Sequence, residues 1–459
     1  MNQQRSSFSG KFGFILASAG SAIGLGNIWR FPYLAAKDGG GLFLIIYIIL
    51  ALTFGFTLLM SEVSIGRKTK QSSLTAYAKI NKKFGWVGIF SSLIPFLILP
   101  YYCVIGGWIV KYVITFVSGH SAQAASDEYF TSFISSNISP ILFDVIFLFG
   151  TAAIVIIGVQ KGIEKFTKYI MPIVFVMVIG ISLFAISSEN PETGITGLDG
   201  LKVYLVPSLK SLSVSDVFYV IVDAMGQLFF SISVSMGIMI TYGSYFKDDL
   251  NLVKSVNQIE LFDTLIALLA GVMIVPSVIV FMGPEGMSTG PSLMFVALPK
   301  VFDAMGTIGP LVGAFFFIMV LFAAITSSVS ILEAVVASLI DKFGWQRRKA
   351  TIIECAFALA IGIFICLGYN ALYFDISLPN GSTGQLLDIL DYISNNILMP
   401  IVSVATCILI GWVVKPDYVI NEATKNGETF RRRILYKIVV CFIAPLLLIL
   451  LLLGALGII

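Results

Sequence analysis

The feature that most constrains this chain is a series of long apolar runs along its whole length. A helix that crosses a bilayer needs about 20 mostly apolar residues. The sequence offers eleven such runs, called spans 1 to 11, at 11–36, 41–66, 87–118, 141–159, 166–187, 216–246, 252–282, 308–340, 350–369, 384–414 and 434–458. Charged residues make up only 12% of the chain, against about 25% in soluble domains. We predict an all-α polytopic protein, one transmembrane domain over 1–459 in a lipid bilayer. With a net charge of only +3, no nucleic-acid partner is expected.

Lysine and arginine are unevenly divided between the loops. They cluster after spans 2, 8 and 10, within 67–83, 342–349 and 415–433, whereas the loops at 119–140 and 370–383 hold none. Cytoplasmic loops carry an excess of these residues. We therefore predict a multi-pass protein of the plasma (inner) membrane with a cytoplasmic N-terminus. Eleven spans then place the C-terminus on the extracellular side.

Two spans contain residues that membrane helices otherwise avoid. Span 1 reads GSAIGLGNIWRFP over 20–32, and span 6 reads SISVSMG over 231–237. A break frees backbone N–H and C=O groups, which are tolerated in a membrane only beside a cavity or a ligand. The N–H end of a half-helix suits a carboxylate and free carbonyls suit a cation, so the two breaks together suit an amino-acid zwitterion. The alternative is that small residues merely let helices pack closely.

The two breaks occupy equivalent positions in the series. Spans 1 and 6 each open a set of five, which predicts a first repeat over 11–187, an inverted second repeat over 216–414 and an extra helix over 434–458. Interrupted helices at matching positions of two halves are typical of inverted-repeat transporters, which bind substrate and ions near the bilayer midplane. The matching positions therefore favour transport over close packing alone.

Several segments resemble the neurotransmitter:sodium symporters, especially the bacterial leucine and hydrophobic amino-acid transporters of that family. The first is GSAIGLGNIWRFPYLAAKDGGGLF at 20–43. The others are SEVSIGR (61–67), YYCVIGGW (101–108), GVQKGIEKFTKYIMP (158–172), GQLFFSISVSMGIMITYGSY (226–245) and LFAAITSSVSIL (321–332). The resemblance covers spans 1 to 10 in order and implies the LeuT-like fold, a five-plus-five inverted repeat. Many members have twelve spans, and this chain has one fewer.

The resemblance implies a first sodium site with one departure from the family. Its matching residues are Ala22, Asn27, Ser231 and Asp263. The family usually has asparagine where this chain has Asp263, and animal members hold chloride partly with a serine at the position of Ala267. We expect Asp263 to supply the missing negative charge, which would make transport independent of chloride. The alternative is that Asp263 is a charge at a cytoplasmic helix end, near Glu260.

The resemblance also implies a second sodium site between spans 1 and 8. Its matching residues are Gly20, Ile23, Ala323, Thr326 and Ser327. Backbone carbonyls and hydroxyls are hard oxygen ligands, which suit Na⁺. The alternative for Thr326 and Ser327 is that their hydroxyls bond back to their own helix. A sodium ion at this site would tie span 1 to span 8, and its loss would free the inward-opening movement.

The substrate pocket implied by the resemblance lies between the two breaks. It comprises Leu25, Gly26 and Tyr102 for the carboxylate, Ala22, Phe230, Ser231 and Ser233 for the amine, and Ile98, Tyr102, Phe230, Met236, Ser328 and Ile331 for the side chain. A charged substrate side chain would lack a partner in such an apolar pocket, so a neutral amino acid is expected. Ser235, where several members carry glycine, is expected to take space from the substrate and so to favour small or medium side chains.

Two ion pairs implied by the resemblance would gate the pocket. Arg30 and Asp391 match the outer pair, and Arg5 and Asp341, near Tyr245, match the inner pair. An arginine inside a span is costly unless it is paired, which favours a gate for Arg30 over a purely structural pair. Arg5 is the weaker candidate, because terminal arginines are commonly solvated. Glu62 is expected to bond the frayed backbone of span 6.

We therefore predict a sodium-coupled symporter that imports a neutral L-amino acid by alternating access, with two Na⁺ ions bound. It would function as a monomer or weak homodimer. Coupling to protons through Asp263 or Glu62 is an alternative, and a non-transporting amino-acid sensor of the same fold is a less favoured one. The sequence contains no cysteine–histidine metal set, no nucleophile–histidine arrangement and no phosphate-binding loop, so no enzymatic activity is expected.

Overall fold

The fold is mostly helical. The structure, a computed structural model, describes residues 7–208, 214–287 and 290–458. In this part, 9 helices are long and apolar enough to cross a membrane, and the bent pair Lys11–Ala22 and Gly26–Lys37 brings the number to 10. The remaining segment, span 6, is present as two helices, Val214–Ser231 and Ile238–Tyr245. The eleven segments predicted from the sequence are thus all helical, while their number as membrane crossings stays a prediction.

The helices of the first half are α1 Lys11–Ala22, α2 Phe31–Lys37, α3 Gly41–Leu50, α4 Phe56–Thr69, α5 Ser73–Ile80, α6 Gly85–Val117, α7 Ser121–Ala124, α8 Tyr129–Ile134, α9 Ser139–Ile157, α10 Lys165–Ser187 and α11 Gly197–Leu205. Those of the second half are α12 Val214–Ser231, α13 Ile238–Tyr245, α14 Leu252–Met282, α15 Leu298–Ala304, α16 Gly309–Phe343, α17 Arg347–Leu367, α18 Leu386–Asp391, α19 Met399–Ile408, α20 Asp417–Ala423, α21 Arg433–Ile438 and α22 Ala444–Ala455. Two short antiparallel strands, β1 Ile376–Ser377 and β2 Thr383–Gly384, form a hairpin before α18.

Seven π-helical turns and three 3₁₀ turns join these helices in the described ranges. The π turns are Gly26–Arg30, Ala51–Gly55, Val159–Glu164, Leu293–Ala297, Tyr392–Leu398, Leu409–Val413 and Val439–Ile443, and the 3₁₀ turns are Lys82–Phe84, Pro284–Gly286 and Gly306–Ile308. A π turn widens the helix by one residue and is frequent at functional sites. Four spans, 1, 2, 10 and 11, contain such a turn in their interior.

Span 1 breaks where its glycines predict. The last residue of α1 is Ala22, and Ile23 leaves the helical region with φ −76° and ψ 89°. The chain resumes as a π turn from Gly26 and then α2, and the two halves are bent by 57°. The bend turns the carbonyl end of α1 and the N–H end of the outer half toward the same space.

Span 6 breaks between α12 and α13. Ser233, Ser235 and Gly237 have φ values of 53°, 69° and 71°, all in the left-handed region. That region interrupts an α-helix, and residues with a Cβ rarely adopt it. Because both breaks lie midway along their spans, they meet at the centre of the molecule.

Glycines set the closest helix contacts around the broken spans. The inner half of span 6, α13, packs on α4, and a Cβ at Gly66 would lie 1.9 Å from the carbonyl oxygen of Ile240. A Cβ at Gly243 would lie 2.4 Å from the carbonyl oxygen of Val63. The outer half of span 1, α2, likewise packs on α14, as α13 packs on α4. An inverted repeat predicts this correspondence, because span 1 is then equivalent to span 6 and span 2 to span 7.

The remaining helices build a support for these four spans. α6 runs beside α16, and both pack on α9 and α17. α10 lies between α14 and α16, where it also contacts α1. Since α16 contacts both α1 and α6, it lies directly against the inner half of the broken span 1, which is where the second sodium site is expected.

Candidate substrate cavity and cation sites

A small cavity lies between the two breaks. Its lining comprises Ser21, Ala22, Gly24, Leu25, Gly26, Asn27, Ile98, Tyr102, Phe230, Ser231, Ser233, Met236, Ser327 and Ile331. The structure thus brings together every residue predicted to bind substrate except Ser328. The cavity volume is ≈ 30 Å³, space for only one or two water molecules. Admission of an amino acid therefore requires the lining side chains or the half-helices to move apart.

Aromatic rings close the cavity on one side. A Cβ at Gly26 would lie 2.9 Å from Cδ1 of Phe230, so the ring sits directly on the backbone of the outer half-helix. The buried hydroxyl of Tyr102 has no hydrogen-bond partner in the described part of the chain. A Cβ at Gly24 would lie 3.6 Å from that hydroxyl. Tyr102 therefore carries an unpaired polar group to the start of the outer half-helix, where a carboxylate is expected.

Two serines do not face the cavity, contrary to the sequence interpretation. Ser328 forms a hydrogen bond of 2.8 Å with Thr151 on α9 and donates to the carbonyl of Ile325. It faces away from the cavity that Ser327 lines, because a step of one residue turns a helix by about 100°. The hydroxyl of Ser235 bonds that of Ser403 on α19 instead of lining the cavity. The prediction that Ser328 lines the pocket is wrong, and so is the argument that Ser235 restricts the substrate.

The backbone of the span 6 break is held from span 2. The N–H of Ser235 donates to Oε1 of Glu62 at 2.6 Å, and both residues are buried. The predicted hydrogen bond between Glu62 and the frayed backbone of span 6 is thus confirmed. The hydroxyl of Ser233 donates to the carbonyl of Ser21 at 3.0 Å, which joins the two breaks directly.

The residues of the predicted first sodium site meet at one carboxylate. Asp263, fully buried within α14, accepts from Nδ2 of Asn27 at 2.9 Å and from the hydroxyl of Ser231 at 2.7 Å through the same oxygen, Oδ1. Its other oxygen, Oδ2, has no partner among the described residues. Ala22 lies beside this group in the cavity wall. A buried carboxylate oxygen without a donor is costly unless a cation or proton compensates it, so these residues fit a sodium ion.

The position of Asp263 disfavours the helix-end alternative. α14 runs from Leu252 to Met282, and Asp263 lies in its fourth turn rather than at its end. Glu260, one turn earlier, is directed elsewhere, because it pairs with Arg432 at 3.5 Å. Ala267, one turn later, is fully buried and offers no donor for an anion.

The predicted second sodium site gathers oxygens from spans 1 and 8. The hydroxyl of Ser327 lies 3.4 Å from the carbonyl oxygen of Gly20 and 3.3 Å from that of Ile23. Thr326 donates to the carbonyl of Ala323 at 2.9 Å, and a Cβ at Gly20 would lie 3.3 Å from Cβ of Thr326. Ser327 thus reaches the carbonyls of span 1, whereas Thr326 bonds back to its own helix, as the alternative predicts. The uncharged oxygen atoms here suit Na⁺, and the site stays a prediction.

The outer gate residues do not form a direct ion pair in the part of the chain that the structure describes. No bond within 4.0 Å joins Arg30 and Asp391 in the ranges that the structure covers, and Asp391 accepts instead from Nδ2 of Asn395 at 2.6 Å. Asn395 in turn donates to the hydroxyl of Tyr101 at 3.2 Å. A gate formed by Arg30 and Asp391 stays a prediction.

The inner gate is only partly within the described residues. Arg5 lies outside them, and Asp341 accepts from the N–H of Ser72 at 2.6 Å. Tyr245 donates to Oε1 of Glu333 at 2.6 Å, and Glu333 forms a two-point ion pair with Arg347. The sequence interpretation did not include Glu333 and Arg347. A glutamate inside the apolar span 8 is the signal that could have identified them, since such residues are rarely left unpaired.

Two broken helices around a buried cavity, with oxygen-rich candidate cation sites beside it, are typical of the class of secondary transporters. Comparison with known proteins gives the family. A model of the sodium:neurotransmitter symporter family matches residues 5–137 and 134–457. The chain belongs to the sodium:neurotransmitter symporter family.

Individual relatives agree with this assignment. An uncharacterized sodium-dependent transporter of Bacillus subtilis, YhdH, is 32% identical over 98% of each chain. One from Methanocaldococcus jannaschii, MJ1319, is 32% identical over 93% of this chain and 85% of its own. The crystal structure of MhsT in complex with L-phenylalanine superposes with a TM-score of 0.85 at 32% identity, over 98% of this chain and 100% of that one. The chain is therefore a sodium-dependent transporter of this family, a multi-pass membrane protein and not an enzyme.

Proposed function

We propose that the protein imports a neutral L-amino acid together with two sodium ions across the plasma membrane by alternating access. The observation that carries this proposal is the unpaired Oδ2 of Asp263, buried beside Asn27, Ser231 and the carbonyl end of α1. A cation bound there would touch the floor of the cavity between the two breaks. The family membership supports the use of sodium.

The cavity wall supports a neutral amino acid as the substrate. Its described lining contains no charged side chain, so a charged substrate side chain would be buried without a partner. The N–H end of the outer half-helix and the hydroxyl of Tyr102 would hold the carboxylate, and the carbonyl end of α12 would hold the amine. Ile98, Met236 and Ile331 would contact an apolar side chain. Because MhsT is named in complex with L-phenylalanine, aromatic side chains belong in the test.

Asp263 also supports transport without chloride. A fixed carboxylate beside the first sodium site supplies the negative charge that would otherwise come from a bound anion, and Ala267 offers no hydroxyl to hold one. At short range inside a protein, opposite charges attract much more strongly than in water. The sodium ion at this site would therefore be balanced by the protein itself.

The second sodium site supports a role in the movement between states. Ser327 on α16 and the carbonyls of Gly20 and Ile23 on span 1 contribute to it from opposite sides. A sodium ion there would hold the inner half of span 1 against the support. Its release would remove that link and allow α1 to move away, which would open the cavity to the cytoplasm.

Uptake into proteoliposomes tests the proposal directly. An inward sodium gradient should drive uptake of labelled phenylalanine, leucine or alanine at equal rates in chloride and in gluconate, and potassium should not replace sodium. A strict chloride requirement would overturn the chloride-independent assignment. Uptake of lysine or glutamate in place of neutral amino acids would overturn the substrate class.

Proton coupling is the second candidate, because Oδ2 of Asp263 and Oε2 of Glu62 are both buried without partners in the described part of the chain. Either oxygen could carry a proton. A pH gradient imposed without sodium separates the two candidates, since only a proton-coupled transporter would accumulate substrate. Binding of an amino acid with no uptake under any gradient would instead favour a sensor.

A further inference from the structure

A large cavity lies outside the substrate site, on the face that the positive-inside rule assigns to the cytoplasm. This basic cavity has a volume of ≈ 600 Å³ and lies between the start of α14 and the segment 426–432. Its polar lining includes Lys254, Asn257, Glu428, Thr429, Arg431 and Arg432. None of these residues takes part in the proposed transport cycle.

Some charged side chains of this basic cavity already have polar partners, and others do not. The side chains of Lys254 and Arg431 are exposed and make no recorded hydrogen bond or ion pair within the described ranges. Both carboxylate oxygens of Glu428 already accept from Asn426, at 2.8 and 3.2 Å. Arg432 pairs with Glu260 and lies 4.8 Å above the ring of Phe56. The amide of Asn426 leaves the charge of Glu428 in place, so among the described residues two unpaired cations face one carboxylate. The lining keeps a net positive charge, and the positive end of the α14 dipole adds to it.

An apolar groove continues from the basic cavity along the outside of spans 2 and 7. It shares Asn257 and Arg432 with the cavity and has a volume of ≈ 380 Å³. Its walls include Leu52 and Leu261, which are 44% and 62% exposed. Exposed leucines on a membrane span face hydrocarbon. The basic cavity and the apolar groove therefore form one continuous site, charged at one end and apolar at the other, with Arg432 at their junction.

We propose that this site binds an anionic phospholipid of the cytoplasmic leaflet. The lipid phosphate would accept hydrogen bonds from Lys254 and Arg431, a charge-assisted geometry that favours phosphate. One acyl chain would lie in the groove between spans 2 and 7. Free phosphate fits less well, because it would leave the apolar groove without an occupant. Basic pockets between spans on the cytoplasmic side commonly receive lipid head groups.

Lipid binding to the purified full-length protein tests this proposal independently of transport. Native mass spectrometry and thermal unfolding in detergent would compare phosphatidylglycerol, phosphatidylcholine and inorganic phosphate. We expect phosphatidylglycerol to bind at least about tenfold more tightly than phosphatidylcholine, and inorganic phosphate to give no stabilisation. Each basic residue near an anionic lipid raises the affinity by about fivefold. The variant Lys254→Gln/Arg431→Gln should accordingly weaken phosphatidylglycerol binding by roughly 30-fold.

Two further variants make the result specific. Lys82→Gln/Lys83→Gln removes the same charge from the same face, outside the basic cavity, and should leave lipid binding unchanged. Leu261→Trp fills the groove without changing charge and should also weaken phosphatidylglycerol binding. Three results would overturn the proposal. They are equal binding of the two phospholipids, equal loss of lipid binding in the two double variants, and stabilisation by inorganic phosphate alone.

Discussion

Two serines in the span 6 break carry backbone strain that the neighbouring spans hold in place. Ser233 and Ser235 have φ values of 53° and 69°, and a non-glycine residue in such a conformation costs about 1–3 kcal/mol. Ser233 is held by the carbonyl of Ser21, and the N–H of Ser235 by Glu62. These partners lie on spans 1 and 2. A movement that separates the spans would break these hydrogen bonds and leave the strained serines without the partners that hold them.

Ser235→Gly should leave the range of substrate sizes unchanged, because its side chain points toward Ser403 and not into the cavity. Loss of that hydrogen bond costs about 1 kcal/mol and relief of the left-handed strain returns about the same, so stability should change little. Competition of alanine and phenylalanine for uptake checks the first statement, and thermal unfolding checks the second. Met236→Ala, which enlarges the cavity wall, is the positive control. Broader selectivity in Ser235→Gly alone would contradict this expectation.

Asp263→Asn should weaken sodium binding by about 10- to 100-fold. The change keeps the shape of the side chain and removes the only formal charge among the residues of the first site, an interaction of roughly 1.5–3 kcal/mol. Sodium titrations of thermal stability, in chloride and in gluconate, measure the loss. Glu260→Gln, one turn earlier and paired with Arg432, should leave sodium affinity nearly unchanged. Equal sodium affinity in Asp263→Asn and the parent would remove Asp263 from the site.

For single residues, the sequence predicts well which spans line the cavity. It predicts less well the direction in which a given side chain points. Ten predicted residues line the cavity because broken helices and their motifs place them there. Ser327 and Ser328 are chemically alike, and only the rotation of α16 decides that one faces span 1 and the other Thr151. Ser235 was misjudged because a left-handed backbone redirects its side chain. Neither effect is visible in residue type.

Between helices, the closest contacts depend on residues without a side chain. Gly66 on α4 and Gly243 on α13 each lie against a carbonyl of the opposite helix. Small residues at such crossings let membrane helices approach and are a general source of their association. Because α13 is the inner half of span 6, this contact fixes one side of the break to span 2.

Gly66→Ala should destabilise the protein, because the added methyl would lie 1.9 Å from the carbonyl oxygen of Ile240 and force α4 and α13 apart. Overpacking of this kind costs about 1–3 kcal/mol. The matched control is Gly150→Ala on α9, where nothing lies within 4 Å of the new methyl. Thermal unfolding in detergent should show a lower unfolding temperature for the first variant and no loss for the second. Equal stability of the two variants would exclude the contact as a source of stability.

The elements themselves were largely predictable, and their irregular turns were not. All eleven apolar runs are helical, and both breaks fall where glycine and serine replace apolar residues. The π turns inside spans 2, 10 and 11 have no recognisable sequence pattern. The turn at 51–55, for example, has the sequence ALTFG, which is typical of an ordinary apolar helix. The Glu333–Arg347 pair was also missed, since Glu333 lies in span 8 and Arg347 in the loop after it, and the two meet only in the folded chain.

The stability of the whole molecule should depend on pH through a cluster of charged residues at the outer ends of spans 1 and 6. Burial raises the pKa of Asp38 to about 7, and the neighbouring Asp223 adds to the rise while Lys37 opposes it. The folded state then holds this proton more tightly than the unfolded chain, whose aspartate pKa is about 3.9. Stability from this group is therefore present at low pH and is lost as the pH rises through about 7.

The unfolding temperature should accordingly decrease from about pH 4 to about pH 7 and level off above that, and Asp38→Asn should flatten that slope. Asp199→Asn is the control, because hydrogen bonds from Lys202 and Thr196 lower the pKa of Asp199 to about 2, so it stays ionised throughout this range. Thermal unfolding in a series of buffers measures both slopes. An unchanged slope in Asp38→Asn would assign the pH dependence to another group.

Sodium and substrate should strengthen each other's binding by the same factor, because they share residues. Ala22 and Ser231 belong both to the cavity wall and to the predicted first sodium site. Binding free energies are reciprocal, and couplings of this kind typically change affinity by about 5- to 150-fold. If sodium raises the affinity for the amino acid by some factor, the amino acid must raise the affinity for sodium equally. Calorimetric titration of each ligand with and without the other measures both factors.

A variant of the second sodium site tests which of the two sodium ions is coupled to substrate binding. Thr326→Val removes one hydroxyl from the second site and lies outside the cavity lining. The Hill coefficient for sodium should fall from about 2 to about 1, while the reciprocal factor is retained, because the shared residues belong to the first site. Uptake should slow more than binding weakens, since the link between α1 and α16 is lost. Loss of the reciprocal factor in Thr326→Val would instead place the coupling in the movement of span 1 as a whole.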